Sequence, residues 1–197
     1  KGGEAPKALA IEPIALSRKL HWLFLAFVPS GLLVAVTAHI STDVAAAPLL
    51  WVVPLSLFLL TFVIVFQRRP ALRHGWMLGL QLPLLILYGG VTAFSLDLSW
   101  EIALLLHFAI LFVTAMVAHG ELARLRPPAS GLTAFYLWMS LGGVLGGVFS
   151  ALLAPALFNS ILEYPLLIIA GILCRPGFTS IRLTRLQGAA LAGLAVV

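Results

Sequence analysis

The stretch Arg18–Asp43, RKLHWLFLAFVPSGLLVAVTAHISTD, decides the fold. Two cations, Arg18 and Lys19, stand before an almost unbroken apolar run from His21 to Ile40, and a lone acid, Asp43, stands after it. A helical run of about 20 apolar residues covers the roughly 30 Å of hydrocarbon in a bilayer. Inside lipid a helix satisfies its own backbone, so this run reads as a membrane span. The same pattern then recurs in alternating direction. Further apolar segments lie at 48–66, 75–96, 100–118, 132–158 and 160–174, the last of them short for a full crossing. Arg68, Arg69 and Arg73 separate the second segment from the third, and Arg124 and Arg126 separate the fourth from the fifth. Arg175, Arg182 and Arg185 follow the sixth, and Lys1 and Lys7 sit in the tail. The remaining gaps hold only acids: Asp43, Asp97, Glu101 and Glu163. All 12 cations thus fall on one side of a serpentine, and positively charged loops stay cytoplasmic.

The expected fold is all-α: a polytopic transmembrane helix bundle with six full spans and the start of a seventh. Residues 1–19 read as a cytoplasmic linker or tail, 20–186 as a six-span membrane domain, and 187–197 as the beginning of a truncated seventh span. At 61% hydrophobic and 10% charged residues the chain is no ordinary soluble domain, where charged residues make up about a quarter. The short spacing of the segments leaves no room for a soluble catalytic domain among them. A net charge of +5 would fit a nucleic-acid partner, but basic loops this short form no tracking groove. Beside membrane spans they read as topology determinants and contacts for anionic lipid. Cys174 is the single cysteine and neighbours the cytoplasmic Arg175, so no internal disulfide forms and its surroundings are reducing. The chain begins at Lys1 without a signal peptide and stops inside an apolar run, as expected of a piece of a longer protein.

Within the spans, Pro29, Pro54, Pro83 and Pro155 read as interruptions whose freed carbonyls need other partners. Pro48 and Pro165 read as helix starts. Trp22, Trp51, Trp76 and Trp100 lie near span ends, the place of interfacial anchors. In the fifth segment Gly142, Gly146, Ser150 and Ala154 form a small-residue ladder, and Gly143, Gly147 and Ala151 form a second beside it. Such ladders let helix backbones approach closely. The GGVLGG run inside this apolar helix has no preceding strand and is not a nucleotide loop.

Ionisable groups inside spans are expensive and point to function. His107 is the deepest, near the middle of the fourth segment. It has the chemistry to bind a porphyrin-type cofactor or relay protons, but no second ligand of matching depth is visible. A histidine hydrogen-bonded to a neighbouring helix is the plainer expectation. At the external end, His39 and Asp43 are four apart beside Thr37, Ser41 and Thr42, as are Asp97 and Glu101, and Glu163 adjoins Tyr164. Together His39, Asp43, Asp97, Glu101 and Glu163 make an external polar site suited to a cation, polyamine or metal. Solvated loop acids are the alternative. Glu163 stands out, because the short sixth segment pulls it below the interface. On the inner side His119, Glu121, Arg124 and Arg126 form a charged turn, either a structural pair of Glu121 with Arg124 or a docking surface for a cytoplasmic domain. No nucleophile elbow, zinc spacing or phosphate loop occurs, so the segment by itself shows no enzyme and names no cofactor.

Two stretches carry a family resemblance. One is Leu25–Phe62, LAFVPSGLLVAVTAHISTDVAAAPLLWVVPLSLFLLTF. The other runs from His119 to Leu166, with HGELARLRPP and then LTAFYLWMSLGGVLGGVFSALLAPALFNSILEYPL. Together they resemble the membrane domain of bacterial polytopic proteins fused to a spermidine-synthase-like domain, some of them labelled transporters or permeases. The resemblance implies a module of the bacterial inner membrane, and the one-sided cations put its amino-terminal side in the cytoplasm. It implies that a Rossmann-like aminopropyltransferase-type or methyltransferase-type domain follows the spans and would hold any enzyme activity. The partners expected are the lipid bilayer, further helices or a cytoplasmic domain of the same longer chain, and other membrane subunits. Two other readings stand beside it: an accessory subunit packed through the segment-five ladder, and a transporter-like domain for a cationic small molecule. No internal repeat favours the latter.

Overall fold

The computed structural model describes residues 14–44, 49–67, 72–158 and 162–177, and every regular element among them is helical. Helix α1, Leu16–His39, ends in a π-helical turn, Ile40–Val44. Helices α2, Val52–Phe66, α3, His74–Ala93, and α4, Trp100–Arg124, follow. A short 3₁₀ turn, Ala129–Gly131, leads into α5, Leu132–Val148, which continues through a π-helical turn, Phe149–Leu153, into α6, Ala154–Leu157. Helix α7 is Glu163–Leu173.

Four helical stretches are long and apolar enough to cross a membrane: Leu16–Thr42, His74–Ala93, Trp100–Arg124 and Ala129–Leu157. Helices α2 and α7 are apolar but shorter, with 15 and 11 residues. At 1.5 Å per residue they reach only about 22 and 16 Å, below the roughly 30 Å of a hydrocarbon core. Among the described residues six apolar helices are therefore present, but only four have spanning length. The anticipated seventh span at 187–197 lies outside the described residues, as do Lys1, Lys7, Arg68, Arg69, Arg182 and Arg185.

Helices α1 and α4 supply most of the buried residues, while the outer helices leave many leucines exposed, among them Leu59, Leu80 and Leu137. Lipid tails are as apolar as leucine, so helices hold together here by fitting closely. The tightest fit joins α1 to α5. A Cβ at Gly142 would collide with the Leu23 carbonyl, and one at Gly146 with the Phe27 carbonyl. Ser30 Oγ donates to the Gly143 carbonyl at 2.7 Å across the same seam. Gly142, Gly146, Ser150 and Ala154 are all buried. The neighbouring row is not: Gly143 and Gly147 are half-buried, Ala151 is exposed, and a Cβ at Gly143 would meet nothing within 4 Å.

Proline placement explains the break in α5. Pro155 has no N–H to offer the Ala151 carbonyl, and its ring would crowd that carbonyl in a regular helix. The wider π turn Phe149–Leu153 immediately precedes it and takes up the misfit. Pro54, read as an interruption, instead stands in the first turn of α2, where a missing N–H costs nothing. Of the four tryptophans read as interfacial anchors, Trp51, Trp76 and Trp100 are more than half exposed. Trp22 is wholly buried, with its ring edge-on to Phe135 at 5.1 Å and the Arg18 guanidinium 5.4 Å from its centroid.

The seam gives a direct test. Gly146→Ala forces apart two backbones and should cost at least about 1–3 kcal/mol, the range for overpacking. Gly143→Ala should stay within about 1 kcal/mol of the parent, since it meets no neighbour and gains helix propensity. Thermal unfolding in detergent of the two variants compares them; equal midpoints would show that the Gly146 contact is not limiting.

Candidate functional site

Seven residues make nearly two helical turns, so residues spaced by seven lie on one face. Helix α3 carries His74, Gln81 and Tyr88 at that spacing, and α4 carries His107, Thr114 and Glu121. Helix α7 adds Tyr164 and Gly171. Because α3 and α4 run in opposite directions, these residues meet in three polar layers about 10 Å apart along the bundle.

The first layer lies toward the acidic end. His107 Nδ1 and the Tyr164 hydroxyl are hydrogen-bonded at 2.7 Å. The Tyr88 ring stands 5.8 Å from His107 and 5.7 Å from Tyr164, centroid to centroid. His39 comes from the end of α1, its ring 4.6 Å from His107 and stacked on Tyr164 at 5.3 Å. Four helices thus each contribute one ring to a single cluster, buried at Tyr88, His107 and Tyr164 and half-buried at His39. The His107–Tyr164 bond shares one proton between nitrogen and oxygen, with the carrier set by the tautomer. Glu163, next to Tyr164 in the first turn of α7, is buried as well.

In the middle layer both polar atoms of the Gln81 amide are bonded. Its Nε2 donates to the Gly171 carbonyl at 3.0 Å, and its Oε1 accepts from Arg175 Nη1 at 3.1 Å. The Thr114 methyl packs so closely on Gly171 that a Cβ there would stand 2.5 Å from it. Thr114 Oγ1 is wholly enclosed and has no hydrogen-bond partner. Arg175 Nη1 also donates to the Leu78 carbonyl at 2.8 Å, which ties the end of α7 to α3.

The third layer lies at the basic end. Glu121 is 2% exposed and accepts from Arg124 Nε at 2.9 Å and Nη2 at 2.5 Å, while His74 Nε2 stands 3.9 Å away. These residues were anticipated in a turn. Instead α4 runs on to Arg124, so His119, Glu121 and Arg124 belong to its last turns, and Arg126 alone of the group lies past the helix. His119 is completely buried and faces α2 rather than the exterior. The Thr61 hydroxyl donates to the Phe58 carbonyl at 2.6 Å, so its oxygen accepts from His119 Nδ1–H at 2.8 Å. Phe58 and Phe62 enclose the imidazole.

Of the external polar set, His39 and Glu163 enter the bundle, whereas Asp97 and Glu101 are exposed at its end. Asp43 lies in the π turn that closes α1. No group of three or more His, Cys, Asp or Glu capable of holding a metal ion occurs among the described residues. His107 meets protein partners on its Tyr164 side, as a histidine bonded to a neighbouring helix does. Tyr88, Gln81, Thr114 and Thr61 escaped the reading of the sequence. The seven-residue spacing of the first three against His107 and Glu121 was the signal that would have found them.

Removing either member of the His107–Tyr164 pair, as His107→Phe and Tyr164→Phe, should reveal a coupling of about 0.6 kcal/mol and no more than about 1.7, as for hydrogen bonds between membrane helices. A double-mutant cycle on detergent unfolding reads this. Thr61→Val strands a buried imidazole N–H and should cost about 1–3 kcal/mol in the same assay. Comparison of the chain with family models, with curated proteins and with solved structures found no match.

Proposed function

We propose that the chain is the membrane-embedded module of a spermidine-synthase-like fusion protein of the bacterial inner membrane, which anchors a cytoplasmic domain at its basic end. One observation carries this reading: the two stretches that bear the resemblance are packed on each other. Helix α1 of the first lies against α5 of the second, His39 stacks on Tyr164, and Thr61 bonds His119. Residues that read as a family signature therefore form one physical unit. The basic end offers a stiff platform for a domain. Arg18 Nη2 donates to the Leu125 carbonyl at 3.3 Å, Arg124 is held by Glu121, and Arg126 is left exposed. On this reading all six apolar helices belong to one serpentine with a cytoplasmic amino terminus.

Cysteine labelling tests the orientation, because the native Cys174 is buried. Asp97→Cys should react with a membrane-impermeant maleimide on intact cells, and Arg126→Cys only after the membrane is opened; the opposite pattern overturns the arrangement. The complete reading frame tests the fusion. A Rossmann-like domain encoded after Val197 is the expected result, and a frame closing without one refutes it.

A second reading, transport of a cationic small molecule, is favoured by the buried polar layers and by Glu163 at their acidic end. It predicts spermidine uptake into proteoliposomes that falls on Glu163→Gln or Asp43→Asn. Unchanged uptake in both variants ends it.

A further inference from the structure

At the basic end, α2, α3 and α4 leave between them a half-open cleft of about 400 Å³. Val65, Leu72 and Met116 make its apolar wall, and Arg73, His74 and Arg124 its polar rim. We propose that this cleft binds the phosphate of an anionic membrane lipid, with the apolar wall receiving the start of the acyl chains. The inference rests on the helices lying in a bilayer and not on the fusion reading.

Three features converge on a phosphate. Arg73 is exposed at the rim and makes no ion pair among the described residues, so its charge is uncompensated. Glu121 neutralises Arg124 but takes only part of its N–H groups, leaving others to donate. His74 closes the rim between them, its ring nitrogens turned inward against Gly120 and Glu121 of α4. Finally, α3 starts at His74 with no side-chain cap, so the N–H groups of its first turn and the positive end of its dipole face the same place. Phosphates bind helix amino termini for that reason.

The chain shape is fitted to keep His74 there. Any side chain at Gly120 would collide with the imidazole, so glycine admits the ring against α4. The charge count also selects the ligand. One free guanidinium beside a compensated pair matches a phosphate diester with a single negative charge. The apolar wall distinguishes the source: a free phosphate would leave Val65, Leu72 and Met116 in water, whereas a lipid covers them. Basic pockets between membrane helices bind lipid headgroups by this combination.

Native mass spectrometry of the full chain released from nanodiscs, together with thermal unfolding, tests the site. Discs of phosphatidylglycerol, discs of phosphatidylethanolamine, and detergent solutions with inorganic phosphate form the three arms. The expected result is one phosphatidylglycerol retained per chain and a raised unfolding midpoint, neither of them reproduced by phosphatidylethanolamine or phosphate. Arg73→Gln, a surface change that leaves the fold intact, should weaken retention about fivefold, the effect of one cation near a headgroup. Gly120→Ala should weaken it further by displacing His74, and Lys19→Gln, a change of equal charge elsewhere at the basic end, should leave it unaltered. The proposal is overturned if phosphatidylethanolamine is retained equally, if inorganic phosphate alone gives the same stabilisation, or if Arg73→Gln and Lys19→Gln behave alike.

Discussion

The backbone of α1 touches the backbone of α5, and it does so only because Gly142 and Gly146 have no side chains. Everything else is arranged around that contact. It draws α1 into the middle of the bundle, where half of its span is buried, and its tip brings His39 against His107 and Tyr164. The device recurs with a different result elsewhere. Gly171 lets the Thr114 methyl and the Gln81 amide reach α7, and Gly120 lets His74 lie on α4. In each place a glycine makes room for a polar neighbour from another helix. In lipid, where burying leucine against leucine gains little, close van der Waals contact and hydrogen bonds carry the association.

The polar layers show how costly groups are made tolerable inside such a bundle. Gln81 uses both its amide atoms, His119 has Thr61, and Glu121 has Arg124. The exceptions are few and local: Thr114 Oγ1, the His74 ring nitrogens, His119 Nε2, Trp22 Nε1 and Ser150 Oγ remain without partners. A structure that satisfied every such group would be a purely mechanical anchor. Here the unsatisfied atoms of His74 and Thr114 lie along the same seven-residue faces as the aromatic cluster, which gives the face a chemical character beyond packing.

Apolar runs announced every helix, because a segment that must satisfy its own backbone in lipid has little choice of conformation. Length was harder to read. The HGELAR sequence looks like a loop from its charges, yet α4 runs straight through it, since Arg124 neutralises Glu121 and Thr61 takes up His119. Charge in a sequence does not reveal whether a partner waits on another helix. Trp22 misled in the same manner: its place near a span end marks an interfacial anchor, but Phe135 claims it for the core. The buried position of Glu163 was visible from the shortness of its segment, whereas Asp97 and Glu101, of like charge and on the same side, stayed in solvent. What separates them is the neighbouring helix, which no single stretch of sequence contains.

The π turn ahead of Pro155 has a consequence for the geometry of the ladder. Steps of four residues overshoot a helical turn by about 40°, so three such steps in a regular helix would wander roughly 120° around the axis. Gly142, Gly146, Ser150 and Ala154 nevertheless remain buried. The wide turn between Phe149 and Leu153 absorbs surplus rotation much as a vernier corrects a scale. The phase of this helix is therefore governed by the number of residues before the proline as well as by their size. A deletion there, even of the exposed Leu152, would rotate the end of the helix out of register with α1 while leaving every glycine in place.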